Sequence, residues 1–467
     1  MEKYELIVIG SGPAGEKAAV KAGYFGHKVA LIEREPVYGG AGVNTGTLPS
    51  KTLKETALYL SGKYDKGLYG VDRDIEGDAT VENFMYRKNF IVQTESEEVR
   101  HNLQRHKVDV YHGVASLVDP HTIHVQGPRE VNLQADSIII ATGSYPFHPE
   151  NIPFDNKRVH DSTSILNITR FPKSIAVLGA GVIGCEYATI FSTMGTKVFL
   201  INRSDRILPF IDREVVSHLI EYMDSDQIDL LFNKSVKKLD IPESEKEMIG
   251  VELESGEVLH VDMFLFAAGR NGNTKDLNLE KVGINVTKRE ALEVNEKYQT
   301  SVPHIYAVGD VIGFPALAST GMDQGRVAVA HIFQIKDIEE IAPILPFGIY
   351  TVPEISTAGI SEEEAKEKGL SYCTGIARHK DMPRGKIMGA KRGMLKLVFT
   401  RDDLIIRGVH IFGHLATELI HHGLSLIDGK KTLLDVIGKV YNYPTLHDLY
   451  KYAAYDGLGN LSGHKLK

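Results

Sequence analysis

The sequence has few cysteines and no apparent leader segment. Only two cysteines, Cys185 and Cys373, occur among 467 residues, which excludes the disulfide framework of a small secreted scaffold. An apolar strand begins almost at Met1, with no basic and apolar leader before it. We therefore expect a reducing, cytoplasmic compartment.

The sequence also lacks an excess of positive charge and long apolar runs. Its formal net charge is −8 and its pI is near 6.2, and no basic block offers the phosphate neutralisation that nucleic acids or anionic membranes require. The longest apolar runs, such as SIAVLGAGVIG, are short and interrupted by glycine. We therefore expect neither a nucleic-acid nor a membrane partner, and small-molecule chemistry is the function class that remains.

The first 33 residues show the pattern of a nucleotide-binding βαβ unit. A strand at residues 4–9 leads into GSGPAG at residues 10–15, and a helix and a second strand at residues 28–32 end at Glu33. Glycines in such a turn let the backbone approach a pyrophosphate at a helix N-terminus, and the acidic residue accepts hydrogen bonds from a ribose. We predict that a dinucleotide binds to Gly10, Ser11, Gly12, Gly15 and Glu33.

The same pattern returns in the middle of the chain. SIAVLGAGVIGCE places glycines 179, 181 and 184 at a turn, and a strand at residues 197–201 follows. Asn202 stands where the first unit has Glu33, and Arg203 and Arg206 come next. A carboxylate there would repel a 2′-phosphate, whereas a guanidinium pairs with it, so NADP(H) and NAD(H) should both be accepted. The alternative is that the arginines belong to a solvated loop.

The order of the remaining segments predicts an interrupted first domain. The length suggests two to four domains of roughly 100–200 residues. TSVPHIYAVGD brings Asp310 to a turn after the second unit, before a helix expected at about residues 323–333. The first domain is then completed after the second one, and from about Phe347 the composition changes to mixed α/β. Two nucleotide units in one chain suggest a flavin and a nicotinamide.

Taken together, these motifs resemble the dihydrolipoamide dehydrogenase and glutathione reductase family of FAD flavoproteins, most closely its soluble pyridine nucleotide transhydrogenase branch. The resemblance rests on GSGPAG with Glu33, GGAGVNTGTLPSK, ATG, GAGVIGCE, AAGRNGNT, TSVPHIYAVGD, GIYTVPEIS and YNYPT, in that order. It implies an α/β fold with two Rossmann-like domains and a C-terminal α+β dimerisation domain. The implied ranges are 1–150 for the first part of the FAD domain, 151–275 for the NAD(P) domain, 276–345 for the second FAD or central part, and 346–467 for the interface domain.

The resemblance also implies roles for individual residues. Asp310 would contact the ribityl chain of the flavin, and Lys51 would pair with Glu186 beside the flavin N5, where the nicotinamide stacks. The alternative for that pair is an ordinary exposed salt bridge. The FAD set further includes Arg34, Gly46, Thr47, Thr142, Gly143 and Ala318. The NAD(P) set comprises Gly179, Gly181, Val182, Ile183, Gly184, Glu186, Asn202, Arg203, Arg206 and Gly269.

The sequence departs from the family at the thiol apparatus. Disulfide reductases carry cysteines at the positions of Gly42 and Thr47, and a base histidine with a supporting glutamate at those of Tyr443 and Asp448. Glycine offers no nucleophile, and a threonine hydroxyl stays protonated without a strong base. His447 is a poor substitute because a helix through both positions would point it away from the place of Tyr443, which we interpret as a packing residue. We therefore expect no disulfide step.

These observations predict an FAD-dependent transhydrogenase that forms a homodimer. NADPH would reduce FAD, NADP⁺ would leave, and NAD⁺ would then take the hydride from the flavin in a ping-pong sequence. Two alternatives remain open, an NAD(P)H:quinone reductase and a redox-sensing nucleotide-binding module. We expect no metal, since His421 and His422 are adjacent on a predicted helix and face different ways. Both cysteines are expected at buried helical positions.

Overall fold

The computed structural model describes residues 1–64, 68–69, 80–337 and 339–463. Its first region, up to about residue 150, alternates strands with helices and ends in a run of strands. In chain order the elements are β1 (Glu2–Ile9), α1 (Pro13–Tyr24), β2 (Val29–Glu33), α2 (Gly40–Asn44), α3 (Thr47–Ser61), α4 (Val81–Arg105), β3 (Asp109–His112), β4 (Val114–Asp119), β5 (Thr122–Gln126), β6 (Val131–Ile140) and β7 (Ser144–Pro146).

A second region repeats the alternation, and the chain then returns to the first region. The elements of the second region are β8 (Val159–Asp161), β9 (Ser174–Leu178), α5 (Val182–Thr193), β10 (Lys197–Ile201), α6 (Arg213–Asp224), β11 (Ile228–Leu231), β12 (Val236–Asp240), β13 (Ile249–Leu253), β14 (Val258–Val261), β15 (Met263–Phe266) and β16 (Arg270–Gly272). The returning segment contains β17 (Ile305–Ala307), a 3₁₀ turn (Gly309–Ile312) and α7 (Ala318–Phe333).

The C-terminal region contains an antiparallel sheet and the last helices. Its elements are β18 (Phe347–Ile349), β19 (Glu354–Gly359), α8 (Glu362–Glu367), β20 (Tyr372–Arg378), α9 (Pro383–Ile387), β21 (Met394–Thr400), β22 (Ile406–Gly413), α10 (Ala416–Asp428), α11 (Leu433–Ile437) and α12 (Asp448–Ser462).

The first sheet has the strand order β3-β2-β1-β6-β5-β4, and β17 also pairs with β6. Strand β1 lies between β2 and β6 and is parallel to both, so its apolar run is buried on both faces. Ile305 to Ala307 add alongside Ile138 to Ile140 in parallel register. The last strand of the first sheet therefore comes after the whole second sheet in the sequence.

The second sheet is parallel throughout, in the order β11-β10-β9-β15-β8, and the C-terminal sheet has the order β18-β19-β22-β21-β20. In the C-terminal sheet every neighbouring pair is antiparallel. The predicted α/β class is confirmed. The helix expected to begin at Asp323 begins instead at Ala318, because the Gly321 N–H already donates to the carbonyl oxygen of the N-cap Leu317 at 2.9 Å.

Buried ion pairs fasten the C-terminal sheet to the other two regions. Lys54 on α3 reaches Glu354 on β19 at 2.6 Å, and Lys396 on β21 reaches Asp212, the N-cap of α6, at 3.1 Å. Both lysines are almost fully buried, and each has further carboxylate partners, Glu55 for Lys54 and Glu214 and Glu362 for Lys396, so their charges are compensated in the interior. These contacts fix the C-terminal sheet against the cleft between the first two regions. Among the described residues, none of the helices has the length and apolar character needed to cross a bilayer.

Candidate functional site

The first glycine turn joins β1 to α1 and leaves room for a ligand. Gly10 has φ +104°, and a Cβ there would lie 2.5 Å from the carbonyl oxygen of Ala141. A Cβ on Gly15 would lie 2.0 Å from the carbonyl oxygen of Gly10, whereas one on Gly12, the N-cap of α1, would meet nothing closer than 3.9 Å. Side chains are thus excluded where the turn packs on β6, and the helix N-terminus is open to an anion.

Glu33 lies beside this turn, at the carboxyl end of β2. Its Oε2 accepts hydrogen bonds from the Ser11 backbone N–H (2.9 Å) and from Ser11 Oγ (2.6 Å), and its Oε1 accepts one from the Glu35 N–H (2.9 Å). Ser11 Oγ also accepts from the Gly39 N–H at 3.1 Å. Glu33 is therefore fixed against the turn with lone pairs left for ribose hydroxyls. The Arg34 Nε donates to the side chain of Glu35 at 3.2 Å.

The second turn reproduces the first one. Gly179 has φ +107°, and a Cβ on it would lie 2.8 Å from the carbonyl oxygen of Ala267. A Cβ on Gly184 would lie 1.7 Å from the carbonyl oxygen of Gly179, whereas Gly181, the N-cap of α5, has nothing within 4 Å of its Cβ position. Val182 and Ile183 form the first turn of α5. The second region therefore has a second helix N-terminus that is open to an anion.

The side chains after β10 differ from their counterparts after β2. Asn202 turns its amide back onto its own loop, with Nδ2 donating to the carbonyl oxygens of Ser204 (3.1 Å) and Arg206 (3.0 Å). The Arg206 guanidinium donates to the Ile211 carbonyl oxygen at 2.6 Å, so it braces the loop. Arg203 is exposed. Of the two predicted phosphate-binding arginines, Arg203 is thus the one turned to solvent.

Lys51 and Glu186 form an ion pair between the first two regions. Lys51 Nζ lies 2.9 and 2.7 Å from the two carboxylate oxygens of Glu186, although the residues are 135 positions apart. The pair is not an exposed salt bridge, because the side chain of Glu186 is 4% exposed and that of Lys51 is 23% exposed. Glu186 is on α5, which follows the second turn, and α5 packs against α3, which carries Lys51, so the pair lies where the first two regions meet.

Tyr350 completes this arrangement from the C-terminal region. Its backbone N–H donates to Glu186 Oε1 at 2.9 Å, and its ring lies 4.9 Å from Lys51 Nζ. Burial raises the pKa of the Tyr350 phenol, so it stays protonated at neutral pH. Sequence reasoning assigns no role to Tyr350, although the residue lies within the motif GIYTVPEIS. Its contact with Glu186 depends on tertiary structure and has no local sequence signal.

Asp310 lies at the start of the returning segment, close to the strand end of β6. Asp310 Oδ2 accepts from Ser144 Oγ at 3.1 Å, and Arg270 Nε donates to the same Ser144 Oγ at 2.9 Å. Burial lowers the pKa of Arg270, and the facing carboxylate of Asp310 opposes that shift. Thr142 Oγ1 is buried and has no hydrogen-bond partner among the residues that the structure describes, and Gly143 (φ +71°) has open space around its Cβ position. A polar ligand placed here would satisfy Thr142.

The remaining predicted positions are distributed around these groups. Gly46 is the N-cap of α3, Thr47 is its first residue, and Ala318 is the first residue of α7. Gly269 has φ +151° and precedes β16. All of them lie at or next to the end of a helix or strand.

Gly42 lies in close contact with the start of α1. Gly42 lies in α2, and a Cβ there would lie 2.7 Å from Cγ and 3.1 Å from Cδ of Pro13, the first residue of α1. The proline ring therefore takes the space that a side chain at position 42 would need. Position 42, one of the two at which the resemblance implies cysteines in disulfide reductases, is therefore closely packed against α1.

Residues 443–447 do not form the helix that the sequence analysis assumed. Tyr443 lies in a loop before Pro444, and α12 begins at Asp448, so no helical register relates Tyr443 to His447. Pro444 disfavours a helical conformation at Tyr443, and this local signal already speaks against a helix through both residues. Tyr443 is 70% exposed in the single chain and fills no space within it. His447 lies near the rings of His422 and Tyr441, away from the Lys51–Glu186 cleft.

The two cysteines are both buried, but only one is helical. Cys185 lies on α5, where its Sγ donates to the Ala180 carbonyl oxygen and burial raises the pKa of its thiol. Cys373 lies on β20, so the prediction of a helical position for it was wrong. A buried, protonated Cys185 is unreactive even though it adjoins Glu186.

Two family models match the chain. Residues 4–325 match the pyridine nucleotide-disulphide oxidoreductase model, and residues 345–454 match the dimerisation domain of the same family. The chain is similar to soluble pyridine nucleotide transhydrogenases from Mycobacterium tuberculosis (40% identity; 99% of this chain and 98% of the relative) and from Azotobacter vinelandii (38%; 98% and 99%).

Solved structures agree on the fold. The HOCl-induced flavoprotein disulfide reductase RclA from Escherichia coli, determined as a Cu(II) complex, superposes with a TM-score of 0.88 at 26% identity, covering 97% of this chain and 99% of that one. LpdA from M. tuberculosis gives a TM-score of 0.89 at 22% identity over 97% and 99% of the two chains, and shows the fold alone.

Proposed function

The chain belongs to the pyridine nucleotide-disulphide oxidoreductase family, and from that premise we propose that it transfers hydride between NADPH and NAD⁺ by way of FAD, as a soluble pyridine nucleotide transhydrogenase. One observation carries the proposal. The Lys51–Glu186 pair is intact between two open glycine turns, while Gly42 and Thr47 stand where a disulfide would be. The chain keeps the residues for hydride exchange and lacks those for thiol exchange.

FAD is the cofactor of the family, and the first region offers a fitting site. The open N-terminus of α1 at Gly12 would receive the pyrophosphate, and Glu33 would accept from the adenosine ribose. Asp310 would accept from the ribityl hydroxyls, and the unpartnered Thr142 Oγ1 supports a polar ligand beside it. The remaining FAD residues would be Gly10, Ser11, Gly15, Arg34, Gly46, Thr47, Lys51, Gly143 and Ala318.

NADPH and NAD⁺ would use the second turn in succession. The open N-terminus of α5 at Gly181 would receive the pyrophosphate of either nucleotide, and the exposed Arg203 would pair with a 2′-phosphate when it is present. Asn202 adds no negative charge, so neither form is repelled. The other contacts would come from Gly179, Val182, Ile183, Gly184, Glu186, Arg206 and Gly269.

When bound, FAD supplies a two-electron carrier that accepts hydride from one nicotinamide and returns it to another. The role of the chain is to hold the reacting groups in position. Lys51 would present a positive charge to the isoalloxazine, and Glu186 together with the Tyr350 N–H would fix the orientation of that ammonium. Catalysis would arise mainly from alignment of the two ring systems, with no protein nucleophile.

We further propose a homodimer through residues 346–467, supported by the matching dimerisation domain. The proposed boundaries remain 1–150, 151–275, 276–345 and 346–467. The exposed Tyr443 lies in this last part and would be covered by a second chain. A cytoplasmic location agrees with the free, buried cysteines, which need no oxidising compartment.

The experiment is anaerobic reduction of thio-NAD⁺ by NADPH with FAD-loaded protein, with lipoamide, glutathione disulfide and a soluble quinone as competing acceptors. Rapid thio-NADH formation with no disulfide reduction is expected. Turnover with the quinone alone would replace the proposal by a quinone reductase. Binding of NADPH without turnover to any acceptor would leave a nucleotide-sensing module.

A further inference from the structure

Three phenylalanine side chains from distant parts of the chain meet at the surface. The ring centroid of Phe347 lies 5.6 Å from that of Phe210 and 6.2 Å from that of Phe314. Phe314 is 81% exposed and Phe210 is 46% exposed. Phe210, Phe314 and Phe347 are called the phenylalanine cluster below. An exposed group of apolar rings is unfavourable in water unless something covers it, and such patches mark binding surfaces.

Phe210 is connected to the second glycine turn. It follows Leu208, whose N–H donates to the Ala180 carbonyl oxygen at 3.2 Å inside that turn. It also precedes Ile211, whose carbonyl oxygen accepts from Arg206 at 2.6 Å. The Phe210 ring is therefore carried by a loop that is fastened to the proposed nicotinamide nucleotide site at both sides.

Phe347 and Phe314 are connected to the other parts of the site. Phe347 opens β18, and three residues later the Tyr350 N–H reaches Glu186, a distance of about 10 Å along an extended strand. Phe314 follows the 3₁₀ turn that starts at Gly309, in which the Gly313 N–H donates to the Asp310 carbonyl oxygen at 3.1 Å. The cluster thus stands where the three regions meet, beside the cleft of the Lys51–Glu186 pair.

We propose that the phenylalanine cluster packs against the nicotinamide half of the bound nucleotide and retains NAD(H) and NADP(H) to the same degree. The inference rests on the proposed function and adds a determinant of affinity to it. A nicotinamide mononucleotide unit offers a planar ring and a sugar face that aromatic rings can cover. The 2′-phosphate belongs to the adenosine half of the nucleotide, so neutral rings at the nicotinamide end cannot distinguish the two forms. This is the behaviour that an enzyme exchanging both nucleotides at one site requires.

The test is isothermal titration of the FAD-loaded dimer with NAD⁺ and with NADP⁺, neither of which can be turned over alone. Phe314→Ala and Phe210→Ala should each raise both dissociation constants by the same factor, about 5- to 30-fold. Phe314→Leu, which keeps an apolar side chain, should give a smaller increase. The matched control is Phe25→Ala, which removes a ring of equal exposure (46%) at the far end of α1 and should change neither constant.

The outcomes separate this inference from the proposed function. If wild-type protein transfers hydride from NADPH to thio-NAD⁺ and the cluster variants bind both nucleotides like wild type, the cluster has no such role. A change confined to NADP⁺ also overturns the inference, because it would assign the rings to the phosphate. If the variants dissociated into monomers but bound both nucleotides as tightly as wild type, the rings would instead contact a second chain, and the inference would be overturned. If wild type binds both nucleotides but transfers no hydride, the function fails, and equal weakening in the variants still supports the cluster.

Discussion

The two glycine turns have the same backbone but different flanking side chains. In each, the first glycine N–H donates to a carbonyl oxygen near the C-terminal end of the neighbouring strand, from Gly10 to Ile32 at 2.8 Å and from Gly179 to Ile201 at 2.9 Å. In each, the first and third glycines pack too closely for a Cβ, and the middle glycine is open. The two units differ at the next residue, which is Glu33 in the first unit and Asn202 in the second.

Glu33 is buried and bonded to its own turn, whereas Asn202 is bonded to its own loop and leaves Arg203 exposed. The first arrangement suits a ligand that stays, because ribose recognition by a fixed carboxylate adds affinity without a choice between forms. The second suits ligands that exchange. We therefore propose that the common backbone geometry would bind a pyrophosphate in both places, and that one side chain would distinguish a resident cofactor from a substrate.

The largest effect is expected from breaking the first unit. Glu33→Ala would remove the acceptor for the Ser11 N–H, the Ser11 hydroxyl and the Glu35 N–H, and the proposed acceptor for the ribose. We expect FAD affinity to fall about 100-fold or more, since hydrogen bonds to charged groups contribute about 1.5–3 kcal/mol each. The flavin absorbance per chain of purified protein measures this. Asn202→Ala is the control in the second unit and should purify with full FAD; a Glu33→Ala protein equally rich in FAD would contradict the assignment.

If the second unit is made to resemble the first, it should no longer accept NADPH as well as NADH. Asn202→Glu places a carboxylate beside the proposed 2′-phosphate, and like-charge repulsion should raise the KM for NADPH about 30- to 100-fold while the KM for NADH stays within about twofold. Asn202→Gln, of similar size without the charge, is the control. Equal losses for both nucleotides would show that the position does not lie at the 2′-phosphate.

The two arginines should separate by role. Arg203→Ala is expected to raise the KM for NADPH about tenfold, an effect that shrinks as ionic strength rises, because an exposed guanidinium acts through a screened charge. Arg206→Ala should instead weaken NADH and NADPH together, since this side chain braces the loop at Ile211. Initial rates at two salt concentrations test both. If the two variants changed the KM values for NADH and NADPH in the same way at both salt concentrations, the two arginines would not have different roles.

The smallest effect is expected from restoring the cysteines. Gly42→Cys combined with Thr47→Cys should give no reduction of lipoamide or glutathione disulfide, because Pro13 occupies the Cβ position at residue 42 and the histidine base is absent at Tyr443. Anaerobic assays with NADH report the activity, and Pro13→Ala in the same background provides the space as a comparison. Disulfide reduction above background in the double variant would show that position 42 is not blocked.

The parts of the molecule that the sequence could predict are those with local signals. The two turns, their flanking strands and the exchange of Glu33 for Asn202 follow from short motifs, because a positive φ and a close backbone approach require glycine at fixed spacing. The contact of Lys51 with Glu186 came from the resemblance, since nothing local relates residues 135 positions apart.

Other features needed the tertiary structure. Tyr350 and the phenylalanine cluster meet the site only once the C-terminal sheet docks against the first two regions. The closeness of Gly42 to Pro13 arises from the packing of α2 against the start of α1. Two local predictions were wrong: a helix through residues 443–447, which Pro444 disfavours at Tyr443, and a helical position for Cys373, which lies on β20.

The central claim is that one site serves both nucleotides in turn and that no thiol takes part. It is tested most directly by treating FAD-loaded protein with one equivalent of NADPH under anaerobic conditions, removing NADP⁺ by gel filtration, and adding NAD⁺. The account predicts about one NADH per chain, unaffected by prior treatment with a thiol-alkylating reagent. Formation of NADH only while NADPH remains present, or its loss after alkylation, would contradict it.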